Sequence, residues 1–299
     1  MLKVNHVTKY YDKVKAVDDL SFTVNDGEIF GLLGVNGAGK TTTFRMIIGL
    51  LEPTSGSVTL DGSPIDYNVT NKIGFLTEER SLLTKLTVKE QIIYYGRLKG
   101  LSEKTILKRL DYWLERFHIT DYKDRKIKEL SKGNQQKVQF ISAVINEPKL
   151  LILDEPFTGL DPINVEMFMD AIKDFKEKGS SIIFSSHRME HVELFCEKLV
   201  ILVKGKSVLE GDLKQIKKDF RKKTIQIVGD IDCDAIKKVE GVLNVEQNAL
   251  ETLVKITDES VVDKVFAIVK KGKNITKFNV LDASLNEIFL SKVGESYEG

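Results

Sequence analysis

The run Gly34-Val35-Asn36-Gly37-Ala38-Gly39-Lys40-Thr41 constrains this chain more than any other stretch. It fits the pattern G-x-x-x-x-G-K-[ST]. It also stands between a compact apolar run, Ile29 to Leu33, and a helix-type stretch that begins at Lys40 and ends near Gly49. Glycines let successive backbone N–H groups turn inward around phosphate oxygens, and the positive end of the following helix faces the same point. In such a loop Lys40 reaches the β- and γ-phosphates and the Thr41 hydroxyl ligates Mg²⁺. With glycine at about 7% of residues in ordinary proteins, a chance match in a chain of this size is on the order of one in a hundred. A merely glycine-rich turn is therefore a weak account.

The second half of such a site is Leu150-Leu151-Ile152-Leu153-Asp154-Glu155, a buried strand that delivers carboxylates at its C-terminal end. Ligands of open α/β sheets bind at that end of the strands. Asp154 is placed to hold Mg²⁺ directly or through water, and Glu155 to polarise the water that attacks a γ-phosphate. His187 ends the run Ile182-Ile183-Phe184-Ser185-Ser186, at the rim of another strand of the same sheet, which favours a γ-phosphate contact. His6, His118 and His191 read as ordinary surface or core residues. Leu130 to Lys137 opens a helix, with Ser131 as N-cap and Gly133 permitting close backbone approach.

Around these motifs the pattern alternates. Leu2 to Val24 reads as two strands about a turn at Tyr11-Asp12-Lys13, and Ser57 to Leu60 as a strand leading into an Asp61-Gly62 turn. Helices follow from about Val88 to Val144, where Ile106, Leu110, Trp113 and Phe117 share one face and read as core. Strands at Leu150 to Leu153 and Ser181 to Phe184 flank a helix from about Asn164 to Lys178. This predicts a parallel sheet with a helical insertion over about 82–147. The lysine-rich stretch Leu213 to Lys223 reads as a solvated helix or linker, with a basic patch near anionic lipid as the alternative. It places the domains at 1–222 and 223–299. Beyond it a βαββαβ order, from Thr224 to Val280, predicts a small ferredoxin-like domain with a closing helix, Ser284 to Lys292.

A length of 299 residues suits two domains, or one large domain with an appendage. Apolar residues make up 42%, and 45 Lys+Arg stand against 44 Asp+Glu, a balance unlike that of a protein dominated by nucleic-acid contacts. No continuous apolar stretch is long enough to span a bilayer. The N-terminus lacks the apolar core of a signal peptide, and Cys196 and Cys233 show no metal or redox spacing, which fits a reducing, cytoplasmic setting.

With these residues in hand, the chain from about Leu2 to Gly211 resembles the nucleotide-binding subunit of ABC transporters. The phosphate loop is Gly34 to Thr41, the LSGGQ-like signature is Leu130 to Asn134, and the Walker B strand is Leu150 to Asp154. Glu155 matches the catalytic glutamate, Gly159-Leu160-Asp161 the D-loop, His187 the switch histidine, and Tyr11 the A-loop aromatic that stacks on adenine. The resemblance implies a P-loop ABC ATPase fold: a parallel sheet, an antiparallel β subdomain and a helical insertion, followed by the α+β C-terminal domain. It implies ATP held by Gly34, Asn36, Gly37, Ala38, Gly39, Lys40, Thr41 and Thr42, with Mg²⁺ held by Thr41, Asp154 and Glu78. Ser131, Lys132, Gly133 and Asn134 would act on the ATP of a second subunit, in a homodimer or heterodimer that closes head to tail. The remaining implied partner is an integral membrane permease, with no nucleic acid, and the place is the cytoplasmic face of the membrane.

There are two departures from the family pattern. Glu78 stands where the Q-loop glutamine is usual, and the signature stretch Ser131-Lys132-Gly133-Asn134 keeps only its Ser and second Gly. Lys132 there either adds positive charge near the γ-phosphate or faces solvent. The Glu78-Glu79-Arg80 stretch, the C-terminal domain and the ending Ala283 to Leu290 resemble the ABC-2 exporter branch, including sodium and drug or peptide export. The alternative, a soluble ABC ATPase acting on ribosomes or DNA, is disfavoured by the single cassette and by the lack of sustained heptads between Lys40 and Asp154.

Overall fold

The computed structural model describes residues 1–79 and 81–298; Arg80, named above, lies outside the described residues. The chain divides into two units, Met1–Glu210 and Gly211–Gly299. In the first, β1 (Leu2–Tyr11), β2 (Val14–Val24), β3 (Ile29–Gly34), α1 (Lys40–Ile47), β4 (Ser55–Leu60), β5 (Ser63–Pro64), α2 (Tyr67–Thr70) and β6 (Ile73–Leu76) precede three helices. These are α3 (Val88–Leu98), α4 (Glu103–Arg116) and α5 (Lys132–Val144). The chain returns through β7 (Leu150–Asp154), α6 (Pro162–Glu177), β8 (Ser181–Ser185), α7 (Met189–Phe195), β9 (Lys198–Val203) and β10 (Lys206–Asp212), which crosses the division.

Alternating apolar residues on β1 and β2 produce a hairpin paired from Leu2↔Val24 to Tyr11↔Val14, within a four-stranded sheet ordered β2-β1-β4-β5. The second sheet is ordered β10-β9-β3-β8-β7-β6. Its central pairs, β9 with β3, β3 with β8, β8 with β7 and β7 with β6, are parallel. Both β7 and β8 are buried along their whole length, which is why their sequences are continuous rather than alternating apolar runs. One core joins the two sheets and α1, and Phe22 stacks on Phe30 at 4.9 Å within it.

Strands β9 and β10 go beyond the sequence expectation. They form a hairpin about Lys204-Gly205, both at positive φ (50° and 81°), as a two-residue turn of this kind requires. That turn braces the phosphate loop, since the Gly205 amide donates to the Ala38 carbonyl at 3.0 Å and its carbonyl accepts from the Asp18 amide at 2.8 Å.

The helical insertion packs as its spacing predicts. Ile106, Leu110, Trp113 and Phe117 are buried, and Trp113 and Phe117 of the α4 region meet Phe140 of α5 and Phe168 and Phe175 of α6 at centroid distances of 5.1 to 6.0 Å.

The second unit runs α8 (Leu213–Asp219), β11 (Lys223–Asp230), α9 (Cys233–Lys237), β12 (Val242–Gln247), β13 (Thr252–Ile256), α10 (Val262–Val269), β14 (Lys273–Asp282) and α11 (Leu285–Glu298). Its antiparallel sheet is ordered β12-β13-β11-β14, the ferredoxin-like arrangement expected. Ile225, Ile227, Ile236, Val254, Val265 and Val269 belong to its own core.

Two boundaries move. The units part at Glu210/Gly211 rather than at 222/223, because the basic stretch is a capped amphipathic helix: Asp212 accepts from the Gln215 amide, and Leu213 and Ile216 are buried beneath the lysines. The closing helix extends past Lys292 to Glu298. Its start is held by a reciprocal pair, Ser284 Oγ accepting from the Glu287 amide and Glu287 from the Ser284 amide.

Candidate functional site

The phosphate loop leaves β3 and enters α1 at Gly39, which has φ 106°. A Cβ at Gly39 would lie 2.6 Å from the Ala16 carbonyl of β2, so only glycine lets the loop sit this close to the hairpin. Lys40 Nζ donates to the carbonyls of Gly34 (2.7 Å) and Val35 (3.3 Å). Its ammonium is thus folded back over the loop, where phosphate oxygens would replace those carbonyls. Asn36, Gly37 and Thr41 are exposed, Thr42 is half-buried and Ala38 is buried. Tyr11 stands 42% exposed at the end of β1, on the hairpin whose Ala16 and Val17 abut Gly39.

Strand β7 brings Asp154 and Glu155 to the same edge of the sheet. Ser185 Oγ at the end of β8 donates to Asp154, and the Glu155 amide donates to the Ser185 carbonyl at 3.1 Å. Glu155 has φ 50°, the left-handed turn that swings its side chain away from the strand line. Its carboxylate meets His187 Nδ1 at 2.8 Å and the Ser186 hydroxyl at 3.3 Å. Both carboxyls are buried. Burial pushes each above the usual carboxylate range; for Asp154 the Ser185 bond opposes this, the charge of Glu78 adds to it and Lys40 lowers it. For Glu155 the opposing influence is His187, while Asp154 adds to the rise. Glu78 itself is exposed just beyond β6.

Ser131 caps α5, its Oγ accepting from the Asn134 amide at 3.3 Å, and Lys132 is exposed. A Cβ at Gly133 would lie 3.8 Å from the Gly159 carbonyl, so the signature and D-loop stretches of this chain lie side by side. Asp161 caps α6 through the Asn164 amide at 2.9 Å, which holds its carboxyl below the usual range. The structure thus gathers Lys40, Asp154, Glu155 and His187, with Glu78 within electrostatic reach of Asp154. It sets the signature and D-loop together as a separate group. Ser185, Ser186 and Gly205 were missed by sequence reasoning, since their partners come from other strands; the strand-end Ser185-Ser186 pair before His187 was the available signal.

The donor set fits a divalent cation. The carboxylate of Asp154, whose proton affinity burial and the charge of Glu78 raise, that of Glu78 and the Thr41 hydroxyl are the oxygens on offer, and magnesium bound to nucleotide takes few protein oxygens, the remainder coming from phosphate and water. Among the described residues no three His, Cys, Asp or Glu side chains gather to hold a metal by themselves.

This loop, strand-end carboxylates and helical insertion define an ATPase of the ATP-binding cassette class. Residues 17–158 match the family described as ABC transporter, and 211–293 match that described as ATP-binding protein DrrA1-3-like, C-terminal domain, which begins where the second unit does. The ABC transporter ATP-binding protein YhaQ of Bacillus subtilis (strain 168) is 51% identical over 298 residues, all of both chains. The linearmycin resistance ATP-binding protein LnrL of the same organism is 30% identical over 99% of each. The dimeric ATP-binding cassette MJ0796, solved in a post-hydrolysis state with ADP and Pi, superposes with TM-score 0.66 at 27% identity over 71% of this chain and 99% of that one. The chain belongs to the ATP-binding proteins of ABC transporters. It is an ATP-binding, ATP-hydrolysing subunit.

Proposed function

We propose that this subunit works as a dimer on the cytoplasmic face of the membrane, driving solute export through a separate integral membrane permease. Similarity to a resistance protein supports export, and similarity to a dimeric cassette supports the pairing. Among the described residues no helix is long and apolar enough to cross a membrane, which is consistent with a separate permease. Its docking face would be a cavity of about 320 Å³ lined by Leu50, Phe75, Tyr95 and Lys99, with Leu50 and nearby Leu98 exposed. The Lys99 amine, bonded to the carbonyls of Thr70 and Ile73, is lowered in pKa by burial.

The observation that carries the catalytic assignment is the Glu155–His187 pair at 2.8 Å beside Asp154. In this reading Tyr11 stacks on adenine, while Gly34 to Thr42 hold the phosphates. Thr41, Asp154 and Glu78 would hold magnesium, which would supply positive charge to the phosphate oxygens. Glu155 accepts the proton of the attacking water, and its raised proton affinity makes it a better base than an exposed glutamate. His187 orients Glu155 through Nδ1–H. Its Nε2 edge then contacts the γ-phosphate as a donor only in the imidazolium form. Ser131 to Asn134 and Asp161 complete the partner's site. The second unit, which carries none of these residues, regulates or pairs subunits.

Glu155→Gln should nearly abolish hydrolysis while keeping ATP binding, because an amide can hold the water but cannot take its proton. Trapped ATP should then shift the protein to a dimer in size-exclusion chromatography with Mg²⁺-ATP. A monomer with wild-type turnover would defeat the assignment.

A further inference from the structure

Helix α5 grips two loops from one face. Gln136 Nε2 donates to the Pro156 carbonyl at 3.0 Å, just past Glu155. One turn on, Gln139 Nε2 lies 2.9 Å from the Thr77 carbonyl, 3.1 Å from Thr77 Oγ1 and 3.3 Å from the Glu79 carbonyl. These are the residues on either side of Glu78. A spacing of three places both glutamines on the same side of the helix, and they are 2% and 5% exposed. Thr77 Oγ1 also donates to the Glu79 carbonyl at 2.6 Å, so the Glu78 loop is a closed turn held from outside by the Gln139 amide.

The other end of that amide makes no return. Gln139 Oε1 is buried and lacks a hydrogen-bond partner among the described residues. A buried acceptor left unpaired is costly, and an apolar side chain of similar length would fill the same space without that cost. What an apolar side chain could not do is hold the carbonyls of residues 77 and 79.

We infer that Gln139 is a positioning residue that fixes Glu78 to α5, the helix whose first turn carries the signature residues. Because Gln136 ties the same helix to the segment after Glu155, one rigid element sets the spacing of the two carboxylate loops. A displacement of α5 by nucleotide of a second subunit would then be felt at Glu78. This inference rests on the reading of Glu78 as a metal-side carboxylate, and two measurements on the full chain keep them apart.

The first is hydrogen–deuterium exchange of the nucleotide-free protein. In Gln139→Met, amides of residues 77–82 should exchange on the order of fivefold faster, the worth of one neutral hydrogen bond, with α5 itself unchanged. Gln139→Glu, which keeps the length but sets an acceptor against two carbonyls, should do the same and serves if the Met variant folds poorly. The second is hydrolysis as a function of free Mg²⁺. Gln139→Met should raise the Mg²⁺ concentration for half-maximal rate in the same direction as Glu78→Gln. The double variant should show no further shift. Unchanged exchange in both Gln139 variants, or Mg²⁺ shifts that multiply in the double variant, would overturn the inference. Faster exchange beside a silent Glu78→Gln would instead retire the role of Glu78 while leaving the grip of Gln139 in place.

Discussion

At the residue scale, burial makes Asp154 and Glu155 hold their protons more tightly than exposed carboxyls do. Glu155 is raised by burial and by Asp154 and held back by His187. In the proposed role of base it would work only when ionised, so hydrolysis should fall as pH drops through a pKa lying above that of an ordinary glutamate. Removing His187 removes an influence that lowers this pKa. The acid limb of the rate profile should therefore move to higher pH in His187→Ala, on top of a slower maximal rate. Steady-state turnover across the acid range checks this, and a limb that stays in place or moves down counts against the Glu155–His187 pairing as the source of the control. Much of this site was legible because phosphate chemistry demands particular residue types at fixed spacing, as in Gly34 to Thr41 and Asp154-Glu155. Gln136, Gln139 and Ser185 were not, since a polar side chain bonded to a distant backbone leaves no local pattern.

At the scale of elements, the helical insertion is bound to the sheet unit by aromatic rings. Phe117 is fully buried and contacts Phe140 of α5 and Phe168 of α6, so it joins the signature helix to the helix that Asp161 caps. Phe117→Ala should cost about 3–5 kcal/mol, read as a lower urea midpoint for the nucleotide-binding unit. A shift typical of an exposed position would mean that the layers close without it. Strong periodicity made α4 and its buried face readable from sequence, and the turn residues did the same for β1 and β2. Strand β10 is not legible because it is an edge strand of mixed, half-exposed residues without clean alternation, whereas β9 is a buried apolar run that the sequence does display. Helix α8 agrees with the helical half of the helix-or-linker reading; its buried side is not legible because its lysines outnumber the two apolar residues that it buries.

At the scale of the molecule, the division falls at Glu210/Gly211, and the proposed chemistry lies on one side of it. Every residue assigned to nucleotide, metal or the signature lies in Met1–Glu210, whose core is built from β1, β2, β3, α1 and the strands flanking them. The second unit has its own sheet and its own core of Ile225, Ile227, Ile236, Val254 and Val265, so it has the buried apolar surface that independent folding needs. The order βαββαβ was legible in the sequence, but the point of division was not, because β10 runs through it as a single strand. A truncation must respect that strand, since ending the chain at Glu210 would cut the edge of the six-stranded sheet whose hairpin turn braces Ala38. A chain ending at Asp212 keeps β10 whole. It should bind ATP with nearly wild-type affinity while losing whatever pairing or regulation the second unit supplies. Equilibrium binding of a fluorescent ATP analogue, with circular dichroism to show that the truncated chain is folded, decides the matter: a folded protein that no longer binds nucleotide would mean that residues beyond Asp212 help to build the site.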